Sequence, residues 1–162
     1  METQTKKPKT SEAVTIVNAL KINRPELGKY TGVGLYRLFR LVAMEDILGK
    51  GASAIAYYAG KKLGEELGLT SLEGFLDLCD ELKIGIIKVP EMRDDFIHVD
   101  VYECVTCAGM DVVGHTLCSF EGGLMAGAIE SITGKKAVAK EVTCIGGFGD
   151  ETCGFDIVLT EK

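Results

Sequence analysis

The sequence predicts an α+β fold in which helices pack on a mainly antiparallel four-stranded sheet. Three observations predict it. Apolar residues recur at helical spacing up to Leu82, they alternate with period two after Gly85, and one further helix separates two pairs of strand-like segments. With 162 residues, 46% of them hydrophobic and 26% charged, the chain can bury one core, which excludes a long disordered chain. Its longest run without a charged side chain is the ten residues Gly51 to Gly60. A spanning helix needs about 20 apolar residues, so no membrane span is expected.

The first 11 residues read as a flexible tail, because Lys6, Lys7 and Lys9 flank Pro8 with nothing apolar to bury, and 12–162 read as one domain. Pro25, Gly28, Gly32 and Gly34 mark a loop over 23–34. A helix follows, with Leu35, Leu38, Phe39 and Val42 in one apolar stripe and a break at Gly49. GASAIAYYAGKKLGEELG, from Gly51, reads as a second helix with Ile55, Tyr58, Ala59 and Leu63 on one face; its Ala and Gly content lets a backbone or a ligand come close. Thr70 and Glu73 form a capping box for a third helix burying Phe75, Leu76, Cys79 and Leu82, with Cys79 as core filler. IIKV and FIHVDVYEC are two strands of a hairpin, in which His98 falls on the polar face. A fourth helix runs from about Ser119 to Thr133, stopped by Gly134. AVAKEVTC and CGFDIVLT are strands around the turn IGGFGDET, whose glycines and Asp150 suit a hairpin connection.

The formal charge is −6, opposite in sign to a phosphate-backbone footprint, so nucleic acid is not an expected partner. Up to residue 81 the 11 basic and 11 acidic residues balance, and the remainder carries the whole excess together with five of the six cysteines. The polar N-terminus lacks the apolar core of a secretory signal, which makes the cytoplasm the expected location and reduced cysteines the expected state. Clustered cysteines in a reducing compartment point to metal or redox chemistry.

Cys144 ends one strand of the last hairpin and Cys153 opens the other, so the two can share one metal. Cys118, just before the fourth helix, and Glu141 complete a four-donor shell of three thiolates and a carboxylate that suits structural zinc. Residues three apart on a regular strand face opposite sides, so Glu141 and Cys144 converge only if the strand bends or ends between them. Cys104-x-x-Cys107 is a second candidate, completing the metal site or acting as a redox pair, and His115 could replace Glu141. The plain alternative is that the cysteines are small buried core residues.

CSFEGGLMAG from Cys118, EVTC from Glu141 and GDETCGFDI from Gly149 resemble the 4-vinyl reductase domain family, as do RPELG over 24–28 and LGKGASAIAYYAG over 48–60. The resemblance implies zinc ligands at Cys118, Glu141, Cys144 and Cys153. It also implies a fold shared with TRAPP subunits, usually dimeric, and an apolar ligand cavity. The absence of Trp distinguishes this chain from phenol-binding members.

These readings make the chain a zinc-containing domain that binds a small hydrophobic or aromatic molecule as sensor or carrier, with Leu38, Phe39, Ile55, Tyr58 and Phe75 lining or adjoining the cavity. Zinc would be structural. A homodimer is expected, and sensing would act through a separate downstream protein. The alternatives are a vinyl reductase-type oxidoreductase acting on a tetrapyrrole and a dimeric assembly scaffold. For the enzyme, no catalytic pair is evident, and Gly49 to Ala54 follows a helix rather than the strand a dinucleotide site requires.

Overall fold

The computed structural model describes residues 14–162, and the expected tail over 1–11 lies outside them. The chain divides into two units, one ending at Thr31 and one from Gly32 to Lys162. In the first, α1 (Ile16–Ala19) is a short helix absent from the sequence-based expectation. Thr15 caps it by accepting the Asn18 N–H at 3.2 Å. Gly28 then turns the chain at φ 70°, its N–H donating to Arg24 O at 2.8 Å.

The second unit opens with α2 (Val33–Arg37), which runs through a π-helical segment (Leu38–Ala43) into α3 (Met44–Leu48). The break falls at Gly49, where φ is 55°. The expected stripe exists, but it faces solvent: Leu35, Leu38, Phe39 and Val42 are each about 60% exposed. Arg37 and Arg40 turn inward instead, because carbonyls and a buried carboxylate there offset the loss of water.

A 3₁₀ turn (Gly49–Gly51) leads into α4 (Ala52–Glu66). Its buried positions are Gly60 and Gly64. Ile55, Tyr58 and Ala59 are exposed, and of the expected inner face only Leu63 packs on the core. The reason is close approach to α6 (Ser119–Thr133): a Cβ on Gly60 would lie 2.1 Å from Phe120 O, and one on Gly123 2.0 Å from Tyr57 O. The same interlock repeats one turn on, at Gly64 and Gly127. The small residues admit a backbone. The end of α6 agrees with expectation, with Gly134 left-handed at φ 73°.

In α5 (Leu72–Glu81) the cap is Ser71, accepting Gly74 N–H at 3.1 Å, rather than Thr70. Phe75 and Cys79 are buried there, whereas Leu82 is 46% exposed. Burial pushes the Cys79 thiol up to about 12.

The four strands β1 (Ile86–Met92), β2 (Phe96–Tyr102), β3 (Lys136–Thr143) and β4 (Cys153–Thr160) form one antiparallel sheet in the order β1-β2-β4-β3. Alternation fixes which side is buried: Ile97, Val99 and Val101 on β2 and Phe155, Ile157 and Leu159 on β4 face the core. His98 lies among polar groups, its Nδ1 2.7 Å from Asp156 Oδ1. The β1 register shifts between Lys88 and Glu91, around Pro90. The connection between β3 and β4 is a helical turn, α7 (Ile145–Phe148), ended by Gly149 at φ 81°, where the sequence suggested a plain hairpin loop. Among the described residues, no helix is long and apolar enough to cross a membrane.

Candidate metal centre

The pairing of β3 with β4 slips between Glu141 and Thr143, leaving Val142 as an extra residue. This bulge is the bend that the three-residue spacing demanded, and it brings Cys144 to the same side as Glu141. Asp150 Oδ2 accepts the Cys144 N–H at 2.8 Å, which fixes the exit of β3. Cys153 opens β4 opposite Val101, and its sulfur accepts the Ile145 N–H at 3.4 Å. Cys118 stands at the start of α6, where its N–H donates to Glu141 Oε2 at 2.9 Å. One ligand atom from each of Cys118, Glu141, Cys144 and Cys153 lies within 4.8 Å of the others.

Glu141 Oε1 is buried and has no hydrogen-bond partner. Without a cation, its carboxyl is pushed up to about 9, by burial first and then by Cys144, while the Cys118 N–H opposes the shift. A divalent ion would supply the missing partner and displace the proton. Three sulfurs and a Glu141 carboxylate oxygen form a donor set that zinc accepts. The residues present fit the group.

A second half of the centre comes from the irregular segment between β2 and α6. Cys104 and Cys107 are buried, and Cys104, Cys107, Cys118 and Cys153 form another group with ligand atoms within 4.8 Å. The packed sulfurs share protons: contacts with Cys107 and Cys118 hold Cys104 well below the usual thiol range, whereas those with Cys104 and Cys107 raise Cys118. The segment is held by side chains. Arg37 donates to Val105 O at 2.8 Å and Ala108 O at 2.9 Å, and Arg40 to Thr106 Oγ1 at 3.2 Å and Leu117 O at 3.0 Å. Glu121, 1% exposed, pairs with Arg40 and accepts from Tyr36 Oη and Thr106 Oγ1. Burial, then Glu121, raises the Tyr36 hydroxyl pKa.

His115 is exposed and in neither group, and Cys79 is also in neither. Leu38, Phe39, Ile55 and Tyr58 lie on exposed positions and Phe75 in the core. None of the five lines the cleft of about 360 Å³ beside Glu141, whose walls include Ser53, Tyr57, Thr116, Ser119 and Phe155. Sequence reasoning missed Arg37, Arg40 and Glu121. The available signal was two arginines three apart in an apolar helix and a carboxylate, Glu121, in the first turn of the Gly/Ala-rich α6.

A family model described as Protein of unknown function (DUF2507) matches residues 34–144. The uncharacterized protein MJ1642 of Methanocaldococcus jannaschii is 31% identical over 137 residues, 85% of this chain and 83% of that protein. A vinyl-4-reductase family protein from the same organism superposes with a TM-score of 0.66 at 19% identity, covering 84% of this chain and 86% of its own. The phenol-responsive sensory domain of the transcription activator PoxR, solved with phenol, gives 0.65 at 16% identity, with coverage of 80% and 75%. Trafficking protein particle complex subunit 3 from Naegleria fowleri, covalently bound to palmitic acid, gives 0.57 at 12%, with coverage of 80% and 95%. By its family model the chain belongs to the DUF2507 family, and it carries the α+β fold of the vinyl-4-reductase and trafficking-particle proteins.

Proposed function

We propose that this chain is a metal-stabilised domain that binds a small hydrophobic or aromatic molecule and serves as sensor or carrier. One observation carries the reading: Glu141 keeps a buried oxygen without a partner, has a carboxylate oxygen within 4.8 Å of three cysteine sulfurs, and also lines the adjoining cleft. Zinc is the ion, held by Cys118, Glu141, Cys144 and Cys153, and its role is to fix one wall of that cleft. The cleft volume suits a compact ligand. Phe155 and Ala54 offer it apolar contact, and Ser53, Thr116 and Ser119 offer hydroxyls for a polar substituent. Phenol and palmitic acid in proteins of the same fold support this class of ligand.

The exposed stripe of Leu35, Leu38, Phe39 and Val42 supports a homodimer formed through that face. Six cysteines outside any disulfide suit the cytoplasm, where a separate protein would receive the signal. Native mass spectrometry of the purified full chain, with phenol and palmitic acid as probes, tests the reading. The expected result is bound zinc and a saturable mass shift with one probe, lost in Ala54→Trp without loss of metal. A folded chain that is metal-free and takes neither probe would overturn it.

A further inference from the structure

The two candidate shells overlap in Cys118 and Cys153. One is Cys118, Glu141, Cys144 and Cys153; the other is Cys104, Cys107, Cys118 and Cys153, and each is a complete set of four donors. Cys118 Sγ lies 3.5 Å from both Cys104 Sγ and Cys107 Sγ and 3.7 Å from Cys153 Sγ. Cys107 Sγ lies 3.2 Å from Cys153 Sγ and 4.0 Å from Cys144 Sγ. Zinc–sulfur bonds of about 2.3 Å give a tetrahedron edge of about 3.8 Å, and these separations straddle it.

We infer that the centre holds two divalent, thiophilic ions bridged by the Cys118 and Cys153 thiolates. Cys104 and Cys107 complete the shell of one ion, Glu141 and Cys144 that of the other. The inference rests on the metal reading above and extends it from one ion to two. Five thiolates and a carboxylate carry six negative charges, which two dications reduce to two, the same net charge that one ion leaves on the first shell alone. With a single ion, Cys104 and Cys107 would remain buried thiols against bound sulfur. The two halves are in direct contact, since a Cβ on Gly146 of α7 would lie 2.8 Å from Cys107 Cβ. In a [4Fe–4S] cluster each cysteine binds a separate iron, which would hold the sulfurs farther apart than these.

Native mass spectrometry of the full chain purified from zinc-supplemented medium should show two zinc ions per chain. Cadmium-113 NMR of the cadmium-loaded chain, which needs no variant, should give two resonances, one of all-sulfur type and one shifted by oxygen, each split by coupling through the shared sulfurs. Cys104→Ser with Cys107→Ser should leave one ion and one unsplit resonance. Glu141→Gln with Cys144→Ser should leave the other. One ion at saturating zinc would overturn the two-ion centre and leave the single-ion reading standing, and two unsplit resonances would overturn the sulfur bridge. Acid-labile sulfide, or no bound metal at all, would overturn both.

Discussion

The two halves of the cysteine centre reach the same few ångströms by different physics. Glu141, Cys144 and Cys153 are placed by a ladder, with the β3–β4 register, one extra residue and the α7 turn setting their positions through backbone hydrogen bonds. Cys104 and Cys107 lie in a segment with no ladder and depend on guanidinium groups from a distant helix. The ladder half is specified locally. The loop half exists only once α2 and its π-helical extension have docked, so metal binding there is tied to tertiary assembly.

Substitutions can separate the halves. Cys153→Ser removes a sulfur common to both candidate shells and should have the largest effect, releasing all bound metal and costing several kcal/mol of stability by thermal melt and elemental analysis. Inserting one alanine between Thr143 and Cys144 should come next. The added residue turns Cys144 to the side opposite Glu141, so metal uptake through Glu141 and Cys144 fails while a Cys104 and Cys107 shell survives, as cadmium NMR would show. Arg37→Met should cost about 2 kcal/mol, because the half-buried carbonyls of Val105 and Ala108 lose charged donors. Hydrogen exchange should then rise over 104–108 and stay unchanged in β3 and β4; equal loss of protection in both would erase the distinction.

The smallest effect concerns pH. Asp156, the main cause, and Asp100 raise the His98 pKa. Protonated His98 therefore stabilises the β2–β4 pairing fully below about pH 6.5, its unfolded value, and that contribution is lost as pH rises through the higher folded value. Partial exposure and screening keep it under about 1 kcal/mol. Thermal melts from pH 5.5 to 9 should show the decline in the parent chain and a flatter profile in His98→Gln.

Much of the ladder half was legible in the sequence. Period-two alternation marked β2, the run IIKV marked β1, the glycine turn IGGFGDET set β3 and β4 on its two sides, Gly134 marked the end of α6, and the spacing of Glu141 and Cys144 required a bend that the bulge supplies. The loop half was less so, because what places it is long-range: Arg37 and Arg40 turn inward from a helix whose apolar stripe, expected to be buried, faces solvent. The face of α4 was misread for a related reason. Hydrophobicity marks side-chain packing, whereas the contact with α6 is made by the absence of side chains at Gly60 and Gly64.

Pro90 sits in the shifted register of β1, an edge strand of the sheet. A proline offers no N–H to an incoming strand, and an irregular edge mismatches any regular partner. That margin is thereby blunted against extension by another chain's backbone. Self-association that lengthens the sheet past β1, and the fibrillar aggregation it could seed, is discouraged by a single imino acid.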